Sequence, residues 1–193
     1  GHSKICIDII QQMNQFEIFG IIDSNLPKGS HTMGVPVIGS ETELESLYKS
    51  GVRYAVVGFG ALNNIELRQR VYNQLKDIGF LLPNIIHPSA IIAPSVKLGE
   101  GNQVMAGAII GSDVSIGNNT IINAGSIVSH DCTISNNTHI TPGAILAGHV
   151  SINQNTIIGM GATIYINVTI GNNVIIANGK HIMNDIASHQ IIK

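Results

Sequence analysis

The sequence predicts two architectures in tandem: a small parallel α/β domain, then a parallel β-helix built of hexapeptide repeats. Three observations carry this. An aliphatic residue recurs at every sixth position from Ile86 to Ile182 without a slip. The stretch before it alternates helix-like and strand-like segments. Only 11% of the residues are charged and there is no Trp, so the surface is sparse in the groups that solvate a monomer.

The ladder is justified residue by residue. It runs Ile86, Ile92, Leu98, Val104, Ile110, Ile116, Ile122, Val128, Ile134, Ile140, Leu146, Ile152, Ile158, Ile164, Ile170, Ile176 and Ile182. A helix repeats near 3.6 residues and a strand at 2, so neither fits. A hexad forms one side of a triangular coil. Two positions before the aliphatic the residue is mostly small or β-branched, as in Ala108, Thr120, Ser126, Cys132, Ala144 and Ala162, which suits a tight corner. Gly or Asn often follows the aliphatic (Gly99, Gly111, Gly117, Asn123, Gly159, Gly171), and this is where the turn is expected.

Before the ladder, "SKICIDIIQQMNQ" reads as a helix with Ile5, Ile9 and Met13 on one stripe. "FEIFGIID" reads as a strand ending at Asp23. "GVPVIGSETELESLYKSG" reads as a loop and a short helix capped by Ser40 or Thr42, with Glu43 or Glu45 in its first turn. "YAVVGFG" reads as a buried strand, followed by a helix through Leu67, Val71, Leu75 and Ile78. Alternating β and α elements imply a parallel sheet, with domains at 1–82 and 83–193. Ligands of such sheets sit beyond the strand carboxyl ends, where Asp23, Gly58 and Gly60 fall. The opening "GHSK" reads either as a tag remnant or as the end of a glycine-rich turn feeding a helix, a natural phosphate site whose preceding strand is missing here.

Composition narrows the function. A net charge of −2 and the lack of any basic run speak against nucleic acid and membrane surfaces. No apolar run reaches the roughly eighteen residues a membrane span needs. Cys6 and Cys132 lack zinc or disulfide spacing, which suits a reducing, cytoplasmic setting. The sparse charge implies that part of the β-helix is covered in a symmetric oligomer.

One interruption of the ladder carries chemistry. In "INAGSIVSHDCTISNNTHI", His130 and Asp131 stand in mid-hexad, with Ser112 and Gly148 one coil away on either side. Small neighbours leave open space beside the imidazole. His is the usual general base near neutral pH, and an adjacent carboxylate orients its ring. Asn123, His139 and Gly148 lie within a coil and a half. His130, Asp131, His139 and His149 are also candidate metal ligands. Their differing positions within the hexads point the three histidines to different sides, so no metal is expected. His31, His181 and His189 read as surface residues.

The motifs "GHSK", "FGIID", "GVPVIG", "VVGFG…LRQRV", "IIHPSA", "IINAGSIVSHDCTISNNTHITPGAILAGHVSI" and "IGMGATI" span nearly the whole chain. Through them it resembles the sugar acyltransferases of the sialic acid O-acetyltransferase-like family, which includes N-acetyltransferases of nucleotide-linked amino sugars. The resemblance implies a Rossmann-like nucleotide-sugar domain and a left-handed β-helix, forming a homotrimer that binds acetyl-CoA between subunits. It implies His130 as general base and Asp131 as the acid that tunes it. His139, Gly148, Gly159, Met160 and Asn178 match the acetyl-CoA site, with the Gly148 N–H as oxyanion donor. Gly1, His2, Asp23, Ser24, Gly58 and Gly60 match the sugar-nucleotide site, and Asn123 is assigned to the acceptor beside them. The implied activity is N-acetylation of a nucleotide-linked amino sugar. O-acetylation of sialic acid or a related nonulosonic acid is the alternative, and a non-catalytic scaffold the third reading. The chain departs from the family at its start, which lacks the first strand, and at "SHQIIK", which lacks the closing Gly-x-Pro-Ala motif. Either the chain is trimmed at these ends, or the CoA tail is held differently.

Overall fold

The computed structural model describes residues 1–61 and 65–193. From Ile85 onward the chain winds through short strands that stack into three parallel faces. The first face holds seven strands, from Ile85–Ile86 to Ile191–Ile192, and the second six, from Ile91–Ile92 to His181–Ile182. The third holds five, from Lys97–Leu98 to Thr169–Ile170. Pairing is in register coil upon coil, as in Ile122 with Ile140, Val128 with Leu146 and Ile134 with Ile152.

The ladder aliphatics fill the interior. Val104, Ile122, Val128, Ile140, Leu146 and Ile158 are fully buried. The small residues two before them are buried as well, Ala108 and Ala144 among them. Buried hydroxyls at these corners are satisfied: Ser126 Oγ donates to the Asn123 carbonyl at 2.7 Å and Thr156 Oγ1 to the Gly171 carbonyl at 2.9 Å.

The turn lies elsewhere than expected. Every sixth residue from Gly101 to Gly179 has φ between +55° (Asn119) and +69° (Gly179), and each is Gly, Asn, Asp or, once, His. This left-handed residue immediately precedes the buried small one. The glycines that follow the aliphatics answer a different need, close contact between coils. A Cβ on Gly159 would come within 2.5 Å of the Ala177 carbonyl carbon. Between the third and first faces the left-handed residues form an amide ladder. Asn119 donates to Asn137 at 2.9 Å, and Asn137 to Asn155 at 2.8 Å.

The first domain caps the first face. Helix α1 (His2–Met13) turns Cys6 and Ile9 onto Ile85, Met105 and Ile121, whereas Ile5 is exposed. The buried stripe is therefore Cys6, Ile9 and Ile10 with Met13, offset from the expected one. Strand β1 (Ile21–Ile22) pairs parallel with β3 (Val35–Gly39), and β2 (His31–Thr32) pairs antiparallel with β3. "GVPVIG" is thus a strand and not a loop. Strand geometry in "FEIFGIID" is confined to Ile21–Ile22, and in "YAVVGFG" to a bridge of Tyr54 with Leu81, because neither has a partner along most of its edge. Helix α2 (Leu44–Lys49) follows a short 3-10 turn, where the Glu43 carboxylate accepts the Ser40 N–H at 2.8 Å. Helix α3 (Ile65–Ile78) is tied to the coil through Glu100, which accepts from Tyr72 Oη at 2.7 Å and Lys76 Nζ at 2.9 Å.

The stacked interior predicts its own sensitivity. Ile140→Ala, in the middle of the stack, should cost about 2–5 kcal/mol, read from the urea midpoint at unchanged m-value.

Candidate active site

His130 and Asp131 sit on the edge between the second and third faces, where strand Ile127–Val128 turns into Thr133–Ile134. Asp131 holds the left-handed position of its hexad (φ +59°), so its carboxylate folds back along the turn. His130 Nδ1 lies 2.7 Å from Asp131 Oδ2. The contact fixes Nδ1 as the donor and leaves Nε2 as the free acceptor.

The next coil supplies the floor. A Cβ on Gly148 would stand 2.6 Å from His130 Cε1 and 2.8 Å from its Nε2, so the imidazole lies directly against that glycine. None of the hydrogen bonds among the described residues takes the Gly148 N–H, although the Gly148 carbonyl accepts from Asn167. A free N–H beside a free imidazole nitrogen is the pairing that an acyl-transfer site needs for its oxyanion and its base. His149, one coil above Asp131, stands with its ring 5.3 Å from that of His130 at 88°, and its Nε2 lies 3.7 Å from Asp131 Oδ2. The expectation that the histidines point to different sides therefore fails for this pair. A residue at a left-handed corner is eighteen positions, one coil, from its counterpart, and His149 stands so to Asp131. The donor atoms of His130, Asp131 and His149 all lie within 4.8 Å of one another.

His139 does point elsewhere. It is on the first face, 2% exposed, with Nε2 2.9 Å from Asn123 Nδ2. Burial, aided by the nearby His2 and Arg68 charges, pushes its pKa down to about 3. Its Nδ1 meets no partner among the described residues. The expectation sets His139 against acetyl-CoA, but in a single chain the ring is covered by the first domain, and only its partner Asn123 reaches the neighbouring edge.

Gly159, Met160 and Asn178 share that edge, between the first and second faces, and Met160 N–H donates to Asn178 Oδ1 at 2.9 Å. One chain thus brings His130, Asp131 and Gly148 together, and Asn123, Gly159, Met160 and Asn178 along another edge, but does not join the two groups.

In the first domain, a Cβ on Gly60 would be 3.6 Å from His2 Nδ1 and one on Gly58 3.6 Å from Ser3 Cβ, so these glycines border the start of α1 beside Gly1. His2 Nε2 lies 2.6 Å from Gln103 Oε1, linking that border to the first face. Asp23 is engaged locally, accepting the Asn25 and Leu26 N–H groups at 2.8 and 3.1 Å, with Ser24 exposed between them. Arg68 is a residue that sequence reasoning missed. It is 1% exposed and its Nη1 donates to the Val57 and Phe59 carbonyls at 3.2 and 2.5 Å. Burial lowers its pKa to about 10. Its place one helical repeat of seven before buried Leu75 was the available signal.

Two outcomes follow from this geometry. Gly148→Ala should push the His130 ring aside and lower kcat about 10²-fold, as a 1 Å misplacement does, with the melting temperature nearly unchanged. Buried, neutral His139 should make stability fall with acid. Below pH 6.5 the unfolded chain takes up a proton that the folded state refuses until about pH 3, so stability is held above that window and lost within it. Its contribution between pH 6.5 and 5 is about 2 kcal/mol, and His139→Gln should flatten urea-unfolding free energy over that range.

Residues 1–75 match the PglD N-terminal domain family, and residues 95–130 match the bacterial transferase hexapeptide family of six repeats. Among solved structures, the chain is 36% identical to perosamine N-acetyltransferase from Caulobacter crescentus, a histidine-to-asparagine mutant in complex with CoA and GDP-perosamine. The match has a TM-score of 0.94 and covers 99% of this chain and 88% of that one. It is 32% identical to the acetyltransferase domain of PglB from Neisseria gonorrhoeae in complex with acetyl coenzyme A, with a TM-score of 0.89 over 97% of this chain and 88% of that one. WeeI from Acinetobacter baumannii shares the fold at 22% identity, with a TM-score of 0.88 over 100% of this chain and 92% of that one. The stacked faces are accordingly the left-handed β-helix of these proteins, and the chain belongs to the sugar acyltransferases of the sialic acid O-acetyltransferase-like, hexapeptide-repeat family.

Proposed function

We propose that this protein is an acetyl-CoA-dependent N-acetyltransferase that acts on the amine of a nucleotide-linked amino sugar, with His130 as general base. The observation that carries the reading is the His130–Asp131 pair lying against Gly148, whose N–H is unpaired among the described residues. The similarity to an N-acetyltransferase held with CoA and GDP-perosamine supports the same donor and acceptor class. The neutral amine attacks the thioester carbonyl, forming the C–N bond. His130 Nε2 takes the nitrogen's proton, and Asp131 holds the resulting imidazolium through Nδ1–H. The Gly148 N–H meets the oxyanion. As the C–S bond breaks, His130 returns its proton to the departing sulfur, giving free CoA and restoring the base.

The same reading assigns Gly1, His2, Asp23, Ser24, Gly58 and Gly60 to the nucleotide sugar, Asn123 to the acceptor, and His139, Gly148, Gly159, Met160 and Asn178 to acetyl-CoA. Met160 and Asn178 stand on a different edge from His130, so the reading requires a second copy beside the first. The second face supports a homotrimer. Ile91, Ile109 and Ile145 form an exposed outward stripe along it, in register with half-buried Ile127. Two edges flank that face, and a threefold arrangement sets the His130 edge of one subunit beside the Met160 edge of its neighbour. Two free, buried cysteines suit a reducing cytoplasm. No helix among the described residues is long and apolar enough to cross a membrane.

The test is mass spectrometry of UDP-, dTDP-, GDP- and CMP-linked amino sugars and free sialic acid after incubation with acetyl-CoA. A gain of one acetyl group on an amine is expected. Acetylation of free sialic acid alone would replace the N-acetyl reading by the O-acetyl one. On the accepted substrate, His130→Ala should lower kcat about 10²–10⁴-fold with acetyl-CoA affinity nearly unchanged, and Asp131→Asn should cost less. Near-normal kcat in His130→Ala would remove the base from His130.

A further inference from the structure

The left-handed corner position is occupied by Gly, Asn or Asp throughout the regular coils, with one exception, His149 at φ +58°. His189 also has positive φ, but it lies beyond the regular six-residue register. A long side chain in this conformation is strained, and Gly or Asn would relieve the strain. The turn itself therefore does not call for His149. What the ring does is visible one coil below. It stands edge-on to His130 at 5.3 Å and 88°, and its Nε2 faces Asp131 Oδ2 at 3.7 Å. The His149 N–H also donates to the His130 carbonyl at 3.1 Å. His130 is 57% exposed, so without this wall only the Asp131 contact and the Gly148 surface restrain its imidazole.

We propose that His149 is a positioning residue for the base. Its ring blocks rotation of the His130 imidazole away from Asp131, and its Nε2 edge draws the shared carboxylate toward the pair, which keeps the Nδ1–H···Oδ2 contact and so the free Nε2. The inference rests on His130 serving as the base, and it adds a third member to the His130–Asp131 pair. An exposed turn residue with no task is the competing account. It predicts that Gly, better suited to φ +58°, improves the protein at no catalytic cost.

The test compares full-length His149→Gly and His149→Asn variants with the wild type. The expected result is a kcat lowered about three- to thirty-fold, less than the roughly 10²-fold of a full 1 Å misplacement, with KM for acetyl-CoA unchanged and melting temperature equal or higher. His149→Phe, which keeps the edge contact and loses Nε2, should retain more kcat than His149→Gly. An activity-free readout accompanies these rates. In histidine-selective ¹⁵N NMR, the wild type should show His130 mainly as the Nδ1–H tautomer, and His149→Gly should show that preference weakened. Unchanged kcat together with an unchanged His130 tautomer in His149→Gly would overturn the proposal. If the wild type instead acetylates nothing in the panel, the base assignment fails, while the NMR comparison still decides whether His149 orders His130.

Discussion

The molecule depends on one conformational requirement, a left-handed residue at every sixth position. That residue turns the chain between flat strands, and it recurs in phase from Gly101 to Gly179. Because it is periodic, each coil lies squarely on the last, and a residue's neighbours above and below stand eighteen positions away. The buried aliphatics then supply the stabilisation, since each side chain removed from water contributes about 1.5–3 kcal/mol. From Gly101 to Gly179 geometry and burial agree coil upon coil. The same periodicity serves chemistry. A left-handed Asp at a corner turns its carboxylate toward the preceding residue, and a glycine one coil later leaves room for that residue's ring.

The regular part of this architecture was legible in the sequence because a fixed period needs no long-range information. Seventeen aliphatics in phase specify a coil without reference to anything outside it. What was misread is instructive. Glycines after the aliphatics looked like turn residues, because composition alone does not separate a glycine needed for positive φ from one needed for contact. Gly159 is the second kind and Gly161, two residues later, the first. The irregular first domain was read less well. "YAVVGFG" has the composition of a buried strand, yet strand geometry requires a partner edge, and composition does not say where that edge is.

The site shows the same division. His130, Asp131 and Gly148 could be assembled on paper because they are one coil apart. His149 could have been added by the same arithmetic applied to Asp131 instead of to His130. Arg68 was marked only by its place seven residues before Leu75, and its partners Val57 and Phe59 come from a segment whose path no periodicity fixes. His139 lies between these cases. Its coil position is set by the period, but its burial depends on where α1 docks.

That docking ties the two halves together electrostatically as well as by packing. His2, Arg68 and His139 crowd one border, where burial first, and the Arg68 guanidinium after it, lowers the proton affinity of both histidines. A neutral His139 beside a buried cation avoids adding a like charge to a dry interface. Gln103 completes the arrangement as a neutral clasp. Its Oε1 lies against His2 and its Nε2 donates to the Val57 carbonyl at 2.7 Å. An acid at that place would hold His2 protonated and add charge to the interface. An apolar residue would leave the Val57 carbonyl without this donor and His2 without its partner. A glutamine meets both demands without charge, and so the first domain is held on the face that borders Asn123 by hydrogen bonds that do not depend on salt.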